Sequence, residues 1–171
     1  WFKRGDKKIQ GLNKAKNYYL NGIIPTDTIT FINDVAYGGI YGIGRLTPNN
    51  RTYNELSSTG NISLISDQDI RDEIVAYYLN LEFLYEYGAD SRSDYPHFMN
   101  SYKVFNPKFP DSVSPAEIPI LLKMMRKDKF YQLTNSELTY AYSILNRLEY
   151  VKKDAAFLYH KIDNYLEHHE K

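Results

Sequence analysis

The chain has 171 residues, of which 43% are hydrophobic and 15% aromatic, so it carries enough apolar surface for a folded core. Lys and Arg together number 21, as do Asp and Glu, and the balanced charge leads us to expect no nucleic-acid partner. Cysteine is absent, which excludes disulfides, thiolate catalysis and cysteine-based metal sites. No apolar run approaches the roughly 20 residues that cross a bilayer.

Helical spacing of apolar residues dominates the first part of the chain. It predicts one helix from Asp6 to Asn21, with Gly22 as its stop. A second helix is expected to open in the segment Pro25-Thr26-Asp27-Thr28 and to end in the glycine-rich run from Gly38 to Gly44. Both helices therefore have an identifiable stop signal in the sequence.

The segment 51–78 predicts two helices joined by a tight connector. Gly60 has no Cβ and suits the left-handed conformation that closes a helix. Ser66 is expected to accept a hydrogen bond from the first turn of the next helix, which would run to Gly88. Three apolar residues of the connector are expected to be pinned into a core: Ile62, Leu64 and Ile65.

After Gly88 the pattern becomes irregular, and we expect mostly loop with one short helix over residues 98–104. Ser114 and Glu117 form a capping-box sequence, with Pro115 suited to the first turn of the helix that follows. These signals predict a short helix that begins at the capping box.

The last helix is predicted to begin at Asn135 and to continue without interruption to Lys171. Its apolar stripe is Leu138, Tyr142, Leu145, Leu148, Val151 or Lys152, Ala155, Leu158, Ile162 and Leu166. Because period-two alternation is almost missing, the predicted fold class is all-α. We expect one domain over residues 1–171, an irregular helical bundle of about six to seven helices with a long C-terminal helix.

Candidate catalytic chemistry is sparse. Asp90, Asp94 and His97 lie close together in the sequence and supply oxygen and imidazole donors, but their spacing matches no established ligand signature. They are weak metal candidates, and the alternative that they leave open is a metal-assisted hydrolase using the 90–97 loop. We predict no catalytic residue, no resident metal and no cofactor.

The most distinctive block lies within residues 48–80 and reads Asn50-x-x-Tyr53-Asn54-Glu55-Leu56-x-Ser58-x-Gly60-Asn61-Ile62-x-Leu64-Ile65, followed by Asp69-Ile-Arg71 and Tyr77-Tyr78. This block resembles an uncharacterised family of Bacteroidota single-pass membrane-anchored proteins with a helical extracytoplasmic domain. The resemblance implies a transmembrane helix upstream of Trp1 and a periplasmic domain anchored to the inner membrane. It implies no catalytic residues.

Together these observations favour a non-enzymatic periplasmic domain that binds an unknown protein partner or small ligand. Seventeen tyrosines suit cores and binding surfaces alike, because each joins an apolar ring to a polar tip. The ligand-binding candidates are Tyr77, Tyr78, Tyr85, Asn54 and Glu55, next to a groove expected between the fourth and last helices. A structural oligomerisation module is a further alternative, so an oligomer stays open.

Overall fold

The computed structural model describes residues 2–40, 49–90, 94–104, 108–109 and 112–169. Within these ranges it contains seven α-helices, one 3-10 turn and no strand, which confirms the all-α prediction and the long C-terminal helix. The elements are α1 (Phe2–Asn21), α2 (Thr28–Ile40), α3 (Arg51–Ser58), the 3-10 turn (Asn61–Leu64), α4 (Gln68–Asp90), α5 (Asp94–Asn100), α6 (Ile118–Met124) and α7 (Asp128–His169).

Packing divides the chain into two compact units. The first comprises residues 1–44 and 91–145, and the second comprises residues 45–90 and 146–171. Helix α7 therefore belongs to the first unit up to Leu145 and to the second unit from Asn146 onward. The expectation of a single domain stays a prediction. No described helix is both long and apolar enough to span a bilayer.

In the first unit α1 and α2 approach closely at Gly11. A Cβ at this position would lie 2.0 Å from the carbonyl oxygen of Asp34, so only glycine allows this approach. Gly38 likewise lies against Leu12, where a Cβ would come 2.8 Å from a methyl carbon. Helix α2 ends at Ile40, within the glycine-rich run where its end was expected, and Gly38 lies inside the helix at this contact.

The core of the first unit joins α1, α2, α5, α6 and the first part of α7. Tyr95 is fully buried there and donates a hydrogen bond to the carbonyl oxygen of Val35 at 3.0 Å. Burial and the charge of Glu137 raise the pKa of Tyr95 well above its ordinary value. The other wholly buried large side chains of this core include Phe31, Phe130, Leu12, Ile32, Met99, Leu121, Met124 and Met125.

A buried ion pair ties α1 to α7 in the same unit. The ammonium group of Lys8 contacts the Oε1 atom of Glu137, and the two side chains are 4% and 1% exposed. The second carboxylate oxygen, Oε2, has no hydrogen-bond partner among the described residues. If one partner were removed, the charge of the other would be left buried and uncompensated, at a large cost in desolvation.

Three helix starts in the second half of the chain differ from prediction. The short helix near residue 98 begins earlier, at Asp94. The backbone N–H of Ser114 donates to Glu117 Oε2 at 3.1 Å, as a capping box requires, but regular helix begins only at Ile118. Helix α7 begins at Asp128 and passes through the expected start at Asn135.

The late prediction for α7 has a local cause. The hydroxyls of Thr134 and Ser136 donate to the carbonyl oxygens of Phe130 and Gln132, four residues back in the same helix. Hydroxyl residues can make this bond inside a helix as well as cap its start, so the sequence signal was ambiguous. The predicted stripe also needs correction, since Tyr142 and Leu166 are each 48% exposed whereas Ala141 and Ile144 are buried.

In the second unit, Gly60 has φ of +73°, which confirms the predicted left-handed closure. The predicted cap is wrong, because the Ser66 hydroxyl instead pairs with the Tyr165 hydroxyl at 2.6 Å. Asp67 Oδ1 accepts from the N–H of Ile70 at 3.0 Å, and a carboxylate suits the positive end of the helix better. In the connector, Ile62 and Ile65 are half-buried, but Leu64 is 79% exposed, so the expectation that it packs into a core is wrong.

Candidate interaction surface

Contacts at intervals of seven residues fix the register between α4 and the distal part of α7, within the second unit. Each successive contact lies seven residues further along α4 and seven residues further back along α7, so the two helices run antiparallel with a heptad repeat. The contacts are Glu73 Oε1 with Lys161 Nζ (2.8 Å), Asn80 Nδ2 with Asp154 Oδ2 (3.4 Å), and the Arg147 guanidinium over the Tyr87 ring (4.2 Å).

The seam between these two helices is filled by apolar side chains. Ile70, Leu84 and Leu158 are the buried hydrophobic residues in the described part of this unit. Tyr77 lies half-buried seven residues from both Ile70 and Leu84, and its burial is the main cause of its raised pKa. The two helices therefore pack directly on one another through these side chains.

Three exposed aromatic rings lie immediately beyond the polar border of this seam, and we call them the ring face: Phe83, Tyr150 and Phe157. Their exposed fractions are 58%, 67% and 60%. Tyr150 and Phe157 are seven residues apart on α7, on either side of Asp154, so they share one side of the helix. On α4, Phe83 lies three residues after Asn80, which contacts Asp154 across the border.

Cationic side chains hold two of these rings. The Arg147 guanidinium lies 5.2 Å from the Phe83 ring centroid as well as over Tyr87, and the Lys153 ammonium lies 5.9 Å from the centroid of Tyr150. Such cation–π contacts orient exposed rings without burying them. Aromatic residues and Arg are also the types enriched in protein interfaces, whereas Lys is depleted.

The charges of this surface are unevenly distributed along the helices. At the start of α4, the hydrogen bond to Glu73 and the neighbouring charge of Asp69 contribute to a raised pKa of Lys161, so acidic groups surround this lysine. Asp72 adds a further exposed carboxylate nearby in the chain. Arg147 lies at the opposite end of the same helix pair, beside the rings of Phe83 and Tyr87.

The structure places the predicted ligand-binding residues as follows. Tyr78 stacks on Tyr53 of α3 with ring centroids 4.0 Å apart, and its edge meets Tyr77 at 5.2 Å. Tyr85 is half-buried on the same helix, and burial raises its pKa. The side chains of Asn54 and Glu55 are exposed on α3. Their role in binding stays a prediction.

Of the three weak metal candidates, two lie on α5. Asp94 and His97 are exposed in the first and last turns of α5, whereas the side chain of Asp90 lies outside the described part of the chain. Among the described residues, no three acidic or histidine side chains are grouped closely enough to hold a metal ion.

A cleft of about 370 Å³ lies between α1 and α2 in the first unit. Its lining is mixed in charge, because Lys14 is paired with Asp34, and Lys7 lies 4.3 Å from the centroid of the Tyr37 ring. Asp6 and Lys3 complete the charged lining. The near balance of these charges selects no particular class of ligand.

Sequence reasoning missed the ring face. The stripe predicted for α7 passed over Tyr150 and Phe157. A signal was present, because Arg147, Asp154 and Lys161 repeat every seven residues beside these two rings.

Comparison of the chain with protein-family models, curated proteins and solved structures gives no match.

Proposed function

We propose that the chain is a non-enzymatic helical binding module that recognises a protein partner through the ring face. The observation that carries this proposal is the exposure of three rings on one side of a well-registered helix pair. The seam of that pair is already filled, so the available apolar surface lies on its flank. This surface sits on regular helices, which hold the rings in fixed positions.

The size of the ring face supports a protein partner. A fully buried aromatic side chain removes about 150–250 Å² from water, so three rings that are roughly 60% exposed offer on the order of 300 Å². The largest apolar patch of a typical monomer has this size and is often functional. Interfaces also concentrate their binding energy in aromatic and arginine residues, and Arg147 lies beside two rings here.

The resemblance of residues 48–80 supports a location for this module. It suggests an extracytoplasmic domain that a helix upstream of Trp1 tethers to the inner membrane, in the periplasm. Tethering confines a partner to the same membrane surface and raises its effective concentration. A modest apolar contact is then sufficient for recognition.

The test is site-specific photo-cross-linking in the native host. A photoreactive phenylalanine analogue replaces Phe157 in one variant and Ala156 in the control. Ala156 is also exposed but neighbours Lys153 and His160 on the polar side of α7. We expect discrete protein adducts from position 157 and none of the same mass from position 156.

The same experiment also defines the contrary outcome. Equal adducts from both positions, or no adduct from position 157, Tyr150 or Phe83, would contradict a binding role for the ring face. Circular dichroism of each variant establishes that it is folded, which is expected because these side chains are mostly exposed.

A further inference from the structure

We propose that the partner at the ring face is a second copy of this chain, paired antiparallel about a two-fold axis. This inference rests on the proposed function, since it names the occupant of the same surface. A two-helix layer buries little by itself, and two such layers stacked face to face form a four-helix bundle.

Two of the three ring positions, both on α7, are arranged almost symmetrically about the contact between Asn80 and Asp154. Phe157 lies three residues to one side of Asp154, and Tyr150 lies four residues to the other side. A two-fold axis that crosses the helices at this level brings Phe157 of one copy opposite Tyr150 of the other. Each pairing occurs twice, as an isologous interface requires.

The charges of the helix pair are complementary under the same operation. Arg147 lies seven residues to one side of Asp154, and Lys161, bound to Glu73, lies seven residues to the other. The two-fold axis therefore brings the guanidinium to the level of the ion pair between Glu73 and Lys161. Asp69 and Asp72 give that end an excess of negative charge over Lys161, so the opposed ends attract.

The available area is sufficient for a stable dimer. Helix α4 has 23 residues, which corresponds to a length of about 34 Å. Two helices about 10 Å apart present a face about 20 Å wide, or roughly 700 Å² per copy. The total of about 1,400 Å² lies within the range of specific protein interfaces.

Sedimentation equilibrium of the 171-residue chain tests the association. We expect a species of twice the 20.0 kDa monomer mass. Phe157→Asp should raise the dimer dissociation constant at least about thirtyfold, as expected for a central aromatic residue. Ala156→Asp, the matched control on the polar side, should leave it unchanged. A dimer that Phe157→Asp does not weaken would overturn the proposal.

Disulfide trapping tests the antiparallel orientation, and the native chain has no cysteine to interfere. Tyr150→Cys and Phe157→Cys are prepared separately, then mixed and oxidised with copper phenanthroline. The mixture should form a heterodimeric disulfide much faster than either variant forms a homodimer. Faster homodimer formation by the separate variants would overturn the antiparallel arrangement.

The photo-cross-linking experiment separates the two proposals. A monomeric chain whose position 157 gives adducts with a different protein overturns the second-copy proposal and leaves the binding function intact. A monomeric chain without any adduct at the ring face overturns both. An adduct of twice the chain mass, identified by mass spectrometry as two copies of this sequence, supports both.

Discussion

Removing one partner of the buried ion pair between Lys8 and Glu137 should destabilise the first unit strongly. Lys8→Met keeps the length of the side chain but leaves the Glu137 carboxylate 1% exposed with no cation beside it. The Oε2 atom already has no hydrogen-bond partner among the described residues, so little compensation is available. We expect a loss of about 3–5 kcal/mol in the free energy of unfolding.

The magnitude can be separated from simple loss of packing by a double-mutant cycle. Glu137→Leu alone should cost a similar amount, because it leaves the Lys8 ammonium buried and unpaired. The double variant replaces both charges by apolar groups and should be close to the native chain in stability. The coupling energy between the two positions should then be at least about 3 kcal/mol.

Urea denaturation followed by circular dichroism measures these differences. A native chain stabilised by about 5–15 kcal/mol can lose 3–5 kcal/mol and still be folded at low urea. Strong coupling between Lys8 and Glu137 would be refuted if each single variant lost less than about 1 kcal/mol in the free energy of unfolding, the range of a solvated surface pair. It would also be refuted if the double variant were less stable than both single variants.

Three further predictions concern other parts of the fold. Gly11→Ala should lower the free energy of unfolding by about 3 kcal/mol or more, because its Cβ would meet the backbone of α2 at 2.0 Å. Gly60→Ala, at φ of +73° in open space, should lower it by only about 1 kcal/mol in the same denaturation assay. Tyr95→Phe should cost about 1 kcal/mol at neutral pH by removing the bond to Val35. Because the pKa of Tyr95 is raised in the folded chain, this residue contributes its full stabilisation below its unfolded pKa of about 10. That stabilisation falls as the pH rises from there toward the folded pKa. The phenylalanine variant lacks this ionisation, so its urea midpoint should fall less than that of the native chain on going to alkaline pH. Asp67→Ala should cost about 1 kcal/mol and Ser66→Ala less than about 0.5 kcal/mol, and equal losses would argue against Asp67 as the cap of α4.

Features set by nearby residues were predictable from the sequence. Gly22 and Gly60 both adopt positive φ, as expected for residues that close helices. The start of α4 was displaced by one residue, since Ser66 and Asp67 are both suitable caps and only their partners distinguish them. The Ser66 hydroxyl is engaged by Tyr165, which lies 99 residues away in the chain.

The candidate surface depends on pairing that local patterns do not reveal. Whether Tyr150 or Val151 faces inward is decided by the register between α4 and α7, and that register depends on contacts such as Glu73 with Lys161. Ring exposure follows only when this pairing is known. The heptad spacing of Arg147, Asp154 and Lys161 was the available sequence signal.

Protection of the ring face in living cells is the most direct test of the central claim. Ala76→Cys places a thiol on the ring-face side of α4, four residues before Asn80, and Ala156→Cys places one on the polar side of α7. Both native residues are exposed and small, and no other cysteine competes. We predict that a membrane-permeant maleimide, added to intact cells, labels position 156 at least about tenfold faster than position 76, with similar rates at both positions after urea denaturation. Equal labelling of both positions in the cell would contradict an occupied ring face.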